Sequence, residues 1–561
     1  MVGSEWLFAW QLALAGSDSQ AVARAARRAQ AEFEGQRRAL APRAAPRSDG
    51  SCDELIGRFC YWHDGEGNDP PPEPAPVGAA RNRLVERLDS AAARIPGDVW
   101  VAGQRVRYLI EAGRTDAAVS VARHCGAETW WCEALEGLAR HRAGAFAAAD
   151  SVYAAALRDM PDDERCRWLD LSVILAGPLR QRSRALGCDA RGAFAARVWW
   201  LAQPLYARRG NDRRTEHWAR LTMVRLLADA ASGWALPPAD DLNEMIVRYG
   251  WPEAWSRGPD QPGEVMPRMV GYERQPSYHF LPDLIPTDDT TPLTDETWTL
   301  APPLTRERYA PAYAPRFETL DPEFAVFRRG ESTLVVVAYD LTGDTLFAGR
   351  GIEADLVLAA DEGAPVVLER RAAAPPAGAV AAVAPGTSRI ASFEVTADSP
   401  AHAARARIGI APWAASRPGL TLSGLLTFEP ADSLPADLSE VLPLVRGRAR
   451  VRRGGRIGLY WEAYGVAPAG ETLLAQVTVA PARGGWLRHL SGWLRLGRRA
   501  RETRLEWQED GSPRDGVVHR ALVVNVAALT PGRYRIDLTV ATSRGDRRTV
   551  SHDLEILAQR P

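Results

Sequence analysis

The chain of 561 residues contains no lysine, so all 69 of its basic residues are arginine. A guanidinium keeps its proton in a protein and forms no Schiff base. Nucleophilic-amine and pyridoxal chemistry are therefore excluded, as is a Walker-type phosphate loop, which needs its lysine. Coding-level composition accounts for the arginine bias, which accompanies abundant alanine and glycine. Charge of one sign is also lacking: 69 basic against 70 acidic residues leave a formal net charge of -1. No global field then favours nucleic acid, and any such binding would have to be local. Long apolar runs are missing too, and without about twenty consecutive apolar residues no transmembrane helix is expected.

The familiar catalytic signatures are equally scarce. The nine histidines include no H-E-x-x-H pair and no two-His spacing on one helix, so no metal centre is expected. There is no G-x-S-x-G elbow, and no G-x-G-x-x-G follows a strand, so no cofactor is expected. The paired carboxylates Asp240-Asp241 and Asp288-Asp289 stand in polar stretches, where both members of a pair face water. General acid catalysis needs one of them desolvated.

Six cysteines, all in the first third, fall into neighbouring pairs: Cys52 with Cys60, Cys125 with Cys132, and Cys166 with Cys188. Their even number and close pairing point to disulfides and an oxidising compartment. The intervals do not match the C-x2-4-C clusters of zinc sites. Buried free thiols in a helical core are the other reading, and other connectivities stay open.

What the chain does have is a repeat. Gly113, Ala118, Ala122 and Cys125 recur 31 residues later as Gly144, Ala149, Tyr153 and Ala156. Small residues fall where two antiparallel helices must approach closely, and Pro161 stops the second helix. The spacing resembles that of tetratricopeptide hairpins, which stack into a solenoid with a concave partner-binding surface. Hairpin position then nominates Arg105, Tyr108, Arg140 and His141 as contacts. The tryptophans scattered along these helices are expected to fill gaps between hairpins. The amino-terminal stretch Trp6 to Gly16 reads either as a short signal core or as a first helix, with Gly16 and Asp18 opening a second helix from Gln20 to Glu34. A Pro-rich loop at 64-77 interrupts the pattern, and a bridge from Cys52 to Cys60 would pin a short helix beside it.

From Pro237 to Pro315 proline becomes frequent, and Met245 to Tyr249 reads as an alternating strand before the turn Gly250-Trp251-Pro252. This phrase, with Val270-Gly271-Tyr272-Glu273 and Ser277-Tyr278-His279-Phe280 after it, resembles the end of the bacterial GWxTD-type domain, although the G-W-x-T-D signature itself is missing. The resemblance implies an assembly of helical repeats, a small module and β-sandwiches. After Phe317 the period becomes two. Ser332-Asp340, 354-360, 365-370, 389-396, 405-410 and Leu420-Phe428 form a first set of strands. A second set comprises 448-452, 456-464, 472-480, 503-507, 517-526, 532-540 and 549-557. The phrase Pro531-Gly532-Arg533-Tyr534-Arg535-Ile536 resembles a penultimate strand of immunoglobulin-like domains, with Tyr534, Ile536, Leu538 and Val540 facing one way.

One segment stands apart. Gly484 to Arg501 carries Arg488, Arg495, Arg498, Arg499 and Arg501 without an acidic residue. Trp486 and Trp493 lie with leucines at helical spacing. It reads either as a basic amphipathic insertion for an anionic membrane surface or acidic partner, or as a lid on its own sandwich.

These readings give a multidomain chain, α then β: a helical-hairpin solenoid at 1-235, a small module or linker at 236-315, and antiparallel β-sandwiches at 316-435 and 440-561. The expected function is a non-enzymatic exported scaffold, periplasmic or extracellular, binding a protein partner through the repeat surface. Two other readings stand beside it: a hydrolase with its site between Tyr249 and His279, using His279 with a carboxylate, and a membrane-surface adaptor acting through Trp486 and Trp493.

Overall fold

The computed structural model describes residues 4-44, 53-62, 70-258, 269-282, 293, 295-300, 305-387, 389-398, 401-410, 419-467, 471-482 and 502-558. The chain divides into two compact units, the first Met1–Ile285 with Glu296–Phe317, the second Pro286–Asp295 with Glu318–Pro561. Most of the expected 236-315 module thus belongs to the first unit.

The first unit is helical. Its order is α1 (Ser4–Leu40), β1 (Glu54–Ile56), β2 (Phe59–Tyr61), α2 (Ala75–Arg94), α3 (Val99–Glu111), α4 (Thr115–Arg123), α5 (Thr129–Arg142) and α6 (Phe146–Asp159). There follow α7 (Asp162–Trp168), α8 (Gly177–Ala185), α9 (Cys188–Ala202), α10 (Asp212–Ala228), α11 (Asp240–Tyr249), β3 (Ala254–Arg257) and β4 (Met269–Tyr272). The carboxylate of Asp98 caps α3 by accepting from the Val101 amide at 2.8 Å, and Asn211 caps α10 by accepting from the Arg214 amide at 3.0 Å. The α3/α4 and α5/α6 turns place Gly113 and Gly144 at φ +71° and +75°, a left-handed conformation that a side chain disfavours. Ala118, Ala122, Ala149 and Ala156 are wholly buried. A Cβ on Gly137 would lie 2.7 Å from the Tyr153 ring, so α5 and α6 touch through a missing side chain.

Several expectations change here. One unbroken helix, α1, runs through Gly16 where a hairpin turn was expected. The segment between Cys52 and the Pro-rich loop is the β1/β2 hairpin rather than a short helix. It pairs Glu54 with Tyr61 and turns at Gly57, with φ +53°. Met245–Tyr249 belongs to helix α11, not to a strand. Its Leu242, Met245, Ile246 and Tyr249 are buried, so the helical three-and-four spacing prevails over the local alternation. The 64-77 loop ends earlier than expected, because Pro76 is accepted in the first turn of α2.

Cys125 is bonded to Cys132 and Cys166 to Cys188, with Cα atoms 5.8 and 5.3 Å apart. The bridges tie the end of α4 to α5 and α7 to α9. Cys60 is disulfide-bonded as well, and Cys52 lies outside the described residues. Trp130, Trp131, Trp168, Trp199, Trp200 and Trp218 are all buried between helices.

The second unit is built from sheets. Its strands are β5 (Arg316–Thr319, of which Glu318 and Thr319 belong to this unit), β6 (Glu323–Arg329), β7 (Ser332–Asp340), β8 (Ile352–Ala359), β9 (Val367–Ala374), β10 (Ala377–Pro385), β11 (Ile390–Asp398), β12 (Ala401–Gly409), β13 (Thr421–Leu422) and β14 (Leu426–Phe428). After the short helix α12 (Leu438–Val441) and a 3-10 turn (Leu442–Leu444) come β15 (Arg450–Arg452), β16 (Arg456–Tyr464), β17 (Thr472–Pro481), β18 (Thr503–Asp510), β19 (Val517–Asn525), β20 (Gly532–Thr542) and β21 (Arg547–Leu557). The sheets run β10-β7-β6, β5-β12-β11-β8-β9, β13 and β14 on β16 with β19 beyond, and β15-β21-β20-β17-β18.

Along β20, Tyr534, Ile536, Leu538 and Val540 are buried while Arg533 and Arg535 are exposed, as a period of two requires. Strand β7 differs. Val335 and Val337 join one core with Leu356 and Phe393, whereas Val336 joins another with Phe327, Phe428 and Tyr460. The sheet β10-β7-β6 is therefore covered on both faces, which explains the unbroken apolar run Leu334 to Ala338. Leu420–Phe428, expected in the first sandwich, pairs instead with β16 of the second strand set.

Candidate functional site

Helix α10 sets the site, because it is buried nearly all round although its sequence, Asp212-Arg213-Arg214-Thr215-Glu216-His217, is strongly polar. It lies on α3, α5 and α6. The Gln104 amide donates to the Leu226 carbonyl at 2.8 Å, and a Cβ on Gly103 would meet Leu226 at 2.5 Å. From α5, His141 meets Thr215 Oγ1 through Nδ1 at 2.9 Å and Glu216 Oε2 through Nε2 at 2.7 Å. Arg220 Nε donates to Glu216 Oε1 at 2.6 Å, while its terminal nitrogens donate to the Arg248 and Arg308 carbonyls at 2.7 and 2.8 Å. Burial alone would raise the Glu216 carboxyl, but Arg220 and His141 hold it well below the usual range.

One turn away the ions close on themselves again. Arg213 donates to Glu307 Oε2 at 2.6 and 3.0 Å, and His279 Nδ1 stands 2.8 Å from Glu307 Oε1. Despite complete burial, Arg213 and His279 keep Glu307 well below the carboxylate range. His217 between them is buried, with neither ring nitrogen hydrogen-bonded among the described residues, and tilts against Trp199 at 5.0 Å. Burial, with Arg213 and Arg220 nearby, holds it neutral.

A pocket of about 50 Å3 opens beside this cluster, lined by His141, Arg142, Glu216, Arg220, Tyr249, Trp251, Glu253, Glu273 and Tyr309 among others. Arg142 pairs with Glu253 at 2.6 Å and lies over the Trp251 ring at 5.4 Å. Burial pushes the Glu273 carboxyl up to about 7, and Asp212, close by, up to about 6. One carboxyl pushed up and another held down is the division on which acid-base chemistry depends. The space, however, suits a few waters or one small polar group. Pockets that enclose organic substrates hold roughly 300–1,000 Å3.

A second buried network joins α1 to α3. Tyr108 donates to Glu34 Oε1 at 2.6 Å and accepts from Gln30 Nε2 at 2.7 Å. Arg107 pairs with Glu34 at 3.1 Å, and Arg37 pairs with Glu34 and Glu111. Glu111 is held down at about 2 against its burial, by Arg37 and Arg107.

The nominated contacts are thus placed. Tyr108 is wholly buried and packs edge-on against Phe33, so it offers nothing to a partner. His141 is buried under α10. Arg105 pairs with Asp89 and Arg140 with Glu136, both half-buried. The reason is physical and differs between them: α1 packs over Tyr108 through Gln30, Phe33 and Glu34, whereas α10 covers His141. His279 does have its carboxylate, Glu307, but that carboxylate is also clamped by Arg213. Trp486, Trp493, Arg498 and Arg499 lie outside the described residues. Sequence reasoning missed Glu216, Glu273 and Glu307. The buried polar half of α10 offered the signal, since a helix polar around most of its circumference must find partners or stay in water.

Among the described residues no group of three or more His, Cys, Asp or Glu is placed to hold a metal ion, and no helix is long and apolar enough to cross a membrane. No known family pattern and no curated protein matches the chain. Solved structures that overlap it include a red sea bream transglutaminase, at 10% identity, 42% of this chain and 31% of that one, with a TM-score of 0.14. Another is a tetra-tandem repeat from the extending region of a large adhesion protein, at 14% identity, 43% and 49% coverage, with a TM-score of 0.14. The chain spans about a third of the first and about half of the second.

Proposed function

We propose that the protein is a non-enzymatic, exported interaction scaffold, with tetratricopeptide-like hairpins in its helical unit and immunoglobulin-like sandwiches in its β unit. One observation carries this reading: the acid-base pair beside the pocket, His141 and Glu216, is fully engaged with protein groups. Both nitrogens of His141 and both oxygens of Glu216 meet protein groups. The bonded pairs Cys125–Cys132 and Cys166–Cys188 support export to an oxidising compartment. The glycine turns and alanine contacts of α3–α6 support the hairpin reading. In β20, the Tyr534 hydroxyl donates to the Thr530 carbonyl at 2.9 Å, the local bond of a tyrosine corner.

With α10 over α3 and α5, the partner-binding face moves to the exposed sides of α4 and α6, around Ser120 and Ser151. A photo-crosslinking residue placed at Ser120 or Ser151 in the producing cell is expected to trap one defined protein. An absence of adducts at both positions would contradict the scaffold. The division between Glu216 and Glu273 favours a second reading, a small-substrate hydrolase at the pocket. It requires turnover of p-nitrophenyl esters or glycosides that Glu273→Gln abolishes, and turnover of that kind would replace the scaffold reading.

A further inference from the structure

Among the described residues strand β10 ends its sheet, with β7 on one side and no strand of the sheet on the other. Its pairing with β7 is antiparallel, Ala377 opposite Asp340 and Pro385 opposite Ser332. The same register continues beyond both ends, where the Leu341 amide donates to the Pro376 carbonyl at 2.7 Å and the Gly386 amide to the Glu331 carbonyl at 3.1 Å. Hydrogen-bonded positions alternate in an antiparallel ladder. The even-numbered residues of β10 therefore bond to β7, and Ala377, Ala379, Ala381 and Val383 aim both amide and carbonyl outward. Other edges are guarded by charge: β9 carries Glu369, Arg370 and Arg371, and β18 carries Arg504, Glu506, Glu509 and Asp510. Strand β10, Ala-Gly-Ala-Val-Ala-Ala-Val-Ala-Pro, has no charge at all, and protein edges are seldom left so unprotected.

This edge forms the floor of a groove of about 450 Å3, bounded by Glu369 and Arg371 of β9 on one side and by Leu442 and Pro443 on the other. We infer that the groove receives an extended peptide segment of a partner, added to β10 as a further strand, in the β half and so beyond the helical surface proposed above. A strand laid along β10 continues its sheet, so its side chains alternate between the two walls. Those facing Leu442 and Pro443 are apolar. Those facing β9 meet one anion and one cation two residues apart, about 7 Å along the strand, and the same-side residues of a bound strand repeat at that interval. The occupant is thus an alternating segment of apolar residues with a basic and an acidic residue two apart. Backbone bonds supply affinity and the walls set register, as in β-augmentation.

Two fluorescein-labelled acetyl peptides, Val-Arg-Val-Glu-Val and Val-Glu-Val-Arg-Val, test this against the full chain by fluorescence anisotropy. One charge order should bind, since it matches the direction in which the strand is added. Methylating its outward backbone amides should abolish binding. Ala381→Pro removes an outward amide and none of the β7 bonds, and should weaken binding at least tenfold. Exchanging the wall charges, Glu369→Arg with Arg371→Glu, should transfer preference to the other peptide, an outcome that misfolding cannot produce. Failure of both peptides to bind at about 1 mM, equal binding by the Ala381→Pro chain, or an unchanged preference after charge exchange would overturn the inference.

Discussion

Helix α10 and strand β7 are both buried on more than one face, and opposite chemistry surrounds them. Strand β7 is covered by Val, Leu, Phe and Tyr side chains from its own unit. Helix α10 buries Asp212, Arg213, Glu216, His217 and Arg220. An apolar strand needs only neighbours of suitable shape, and near misses cost it little. A buried ion needs its counter-ion at the right atom, because desolvation of each charge must be offset by its partner. Helix α10 therefore has less tolerance for change than strand β7.

The largest effect follows directly. Glu307→Ala leaves Arg213 and His279 buried without their carboxylate and is expected to cost about 3–5 kcal/mol. The apolar exchange Arg213→Met with Glu307→Leu should recover most of that loss. Urea denaturation of the three chains compares them, and an apolar exchange as damaging as the single change would show that the ions do more than fill space.

Next come the bridges. Cys125→Ser with Cys132→Ser should cost about 2–4 kcal/mol, and alkylation of unreduced protein followed by mass spectrometry should find no label on Cys125, Cys132, Cys166 or Cys188. Labelling of these cysteines in material from an oxidising compartment would remove the export argument.

Smaller losses are expected at the helix contacts. Gly137→Ala or Ala149→Trp should overpack α5 against α6 by about 1–3 kcal/mol, read as a lower thermal midpoint. Unchanged unfolding of both would contradict the close approach.

The smallest effect concerns pH. The Glu273 carboxyl is raised from 4.5 to about 7 in the folded chain. The folded state then prefers the neutral form, so this contribution to stability is full below pH 4.5 and is lost as pH rises through 7. Glu273→Gln should match the parent near pH 4 and exceed it in stability above pH 7. A difference independent of pH would place that carboxyl in water.

The strands were legible as alternating or β-branched and aromatic runs bounded by Gly, Pro and Asp turns. Ser332–Asp340 and Arg456–Tyr464 coincide with β7 and β16 at both ends. Strand β10 was not, since alanine and glycine carry little strand preference and prolines flank it; the edge that matters most was thus the hardest to see. Strand β6, which alternates Phe324, Val326 and Arg328 on one side, was passed over although its period was present. At the candidate site His141 and His279 were named, but their carboxylates lie 75 and 28 positions away along the chain. No local pattern connects such pairs. Nor could hairpin spacing show that two other helices of the same chain, α1 over Tyr108 and α10 over His141, would cover contacts it assigned to a partner.

Whether α10 is a permanent part of the helical core decides that assignment, and native-state hydrogen exchange measures it residue by residue. Helix α10 buries Glu216 against His141 and Arg213 against Glu307, so its central amides, from Glu216 to Met223, should exchange only through global opening of the unit, with the same free energy and denaturant dependence as those of α5. Exchange of α10 through a separate, lower-energy opening that leaves α5 protected would contradict the account and return the surface of α3 and α5 to a partner.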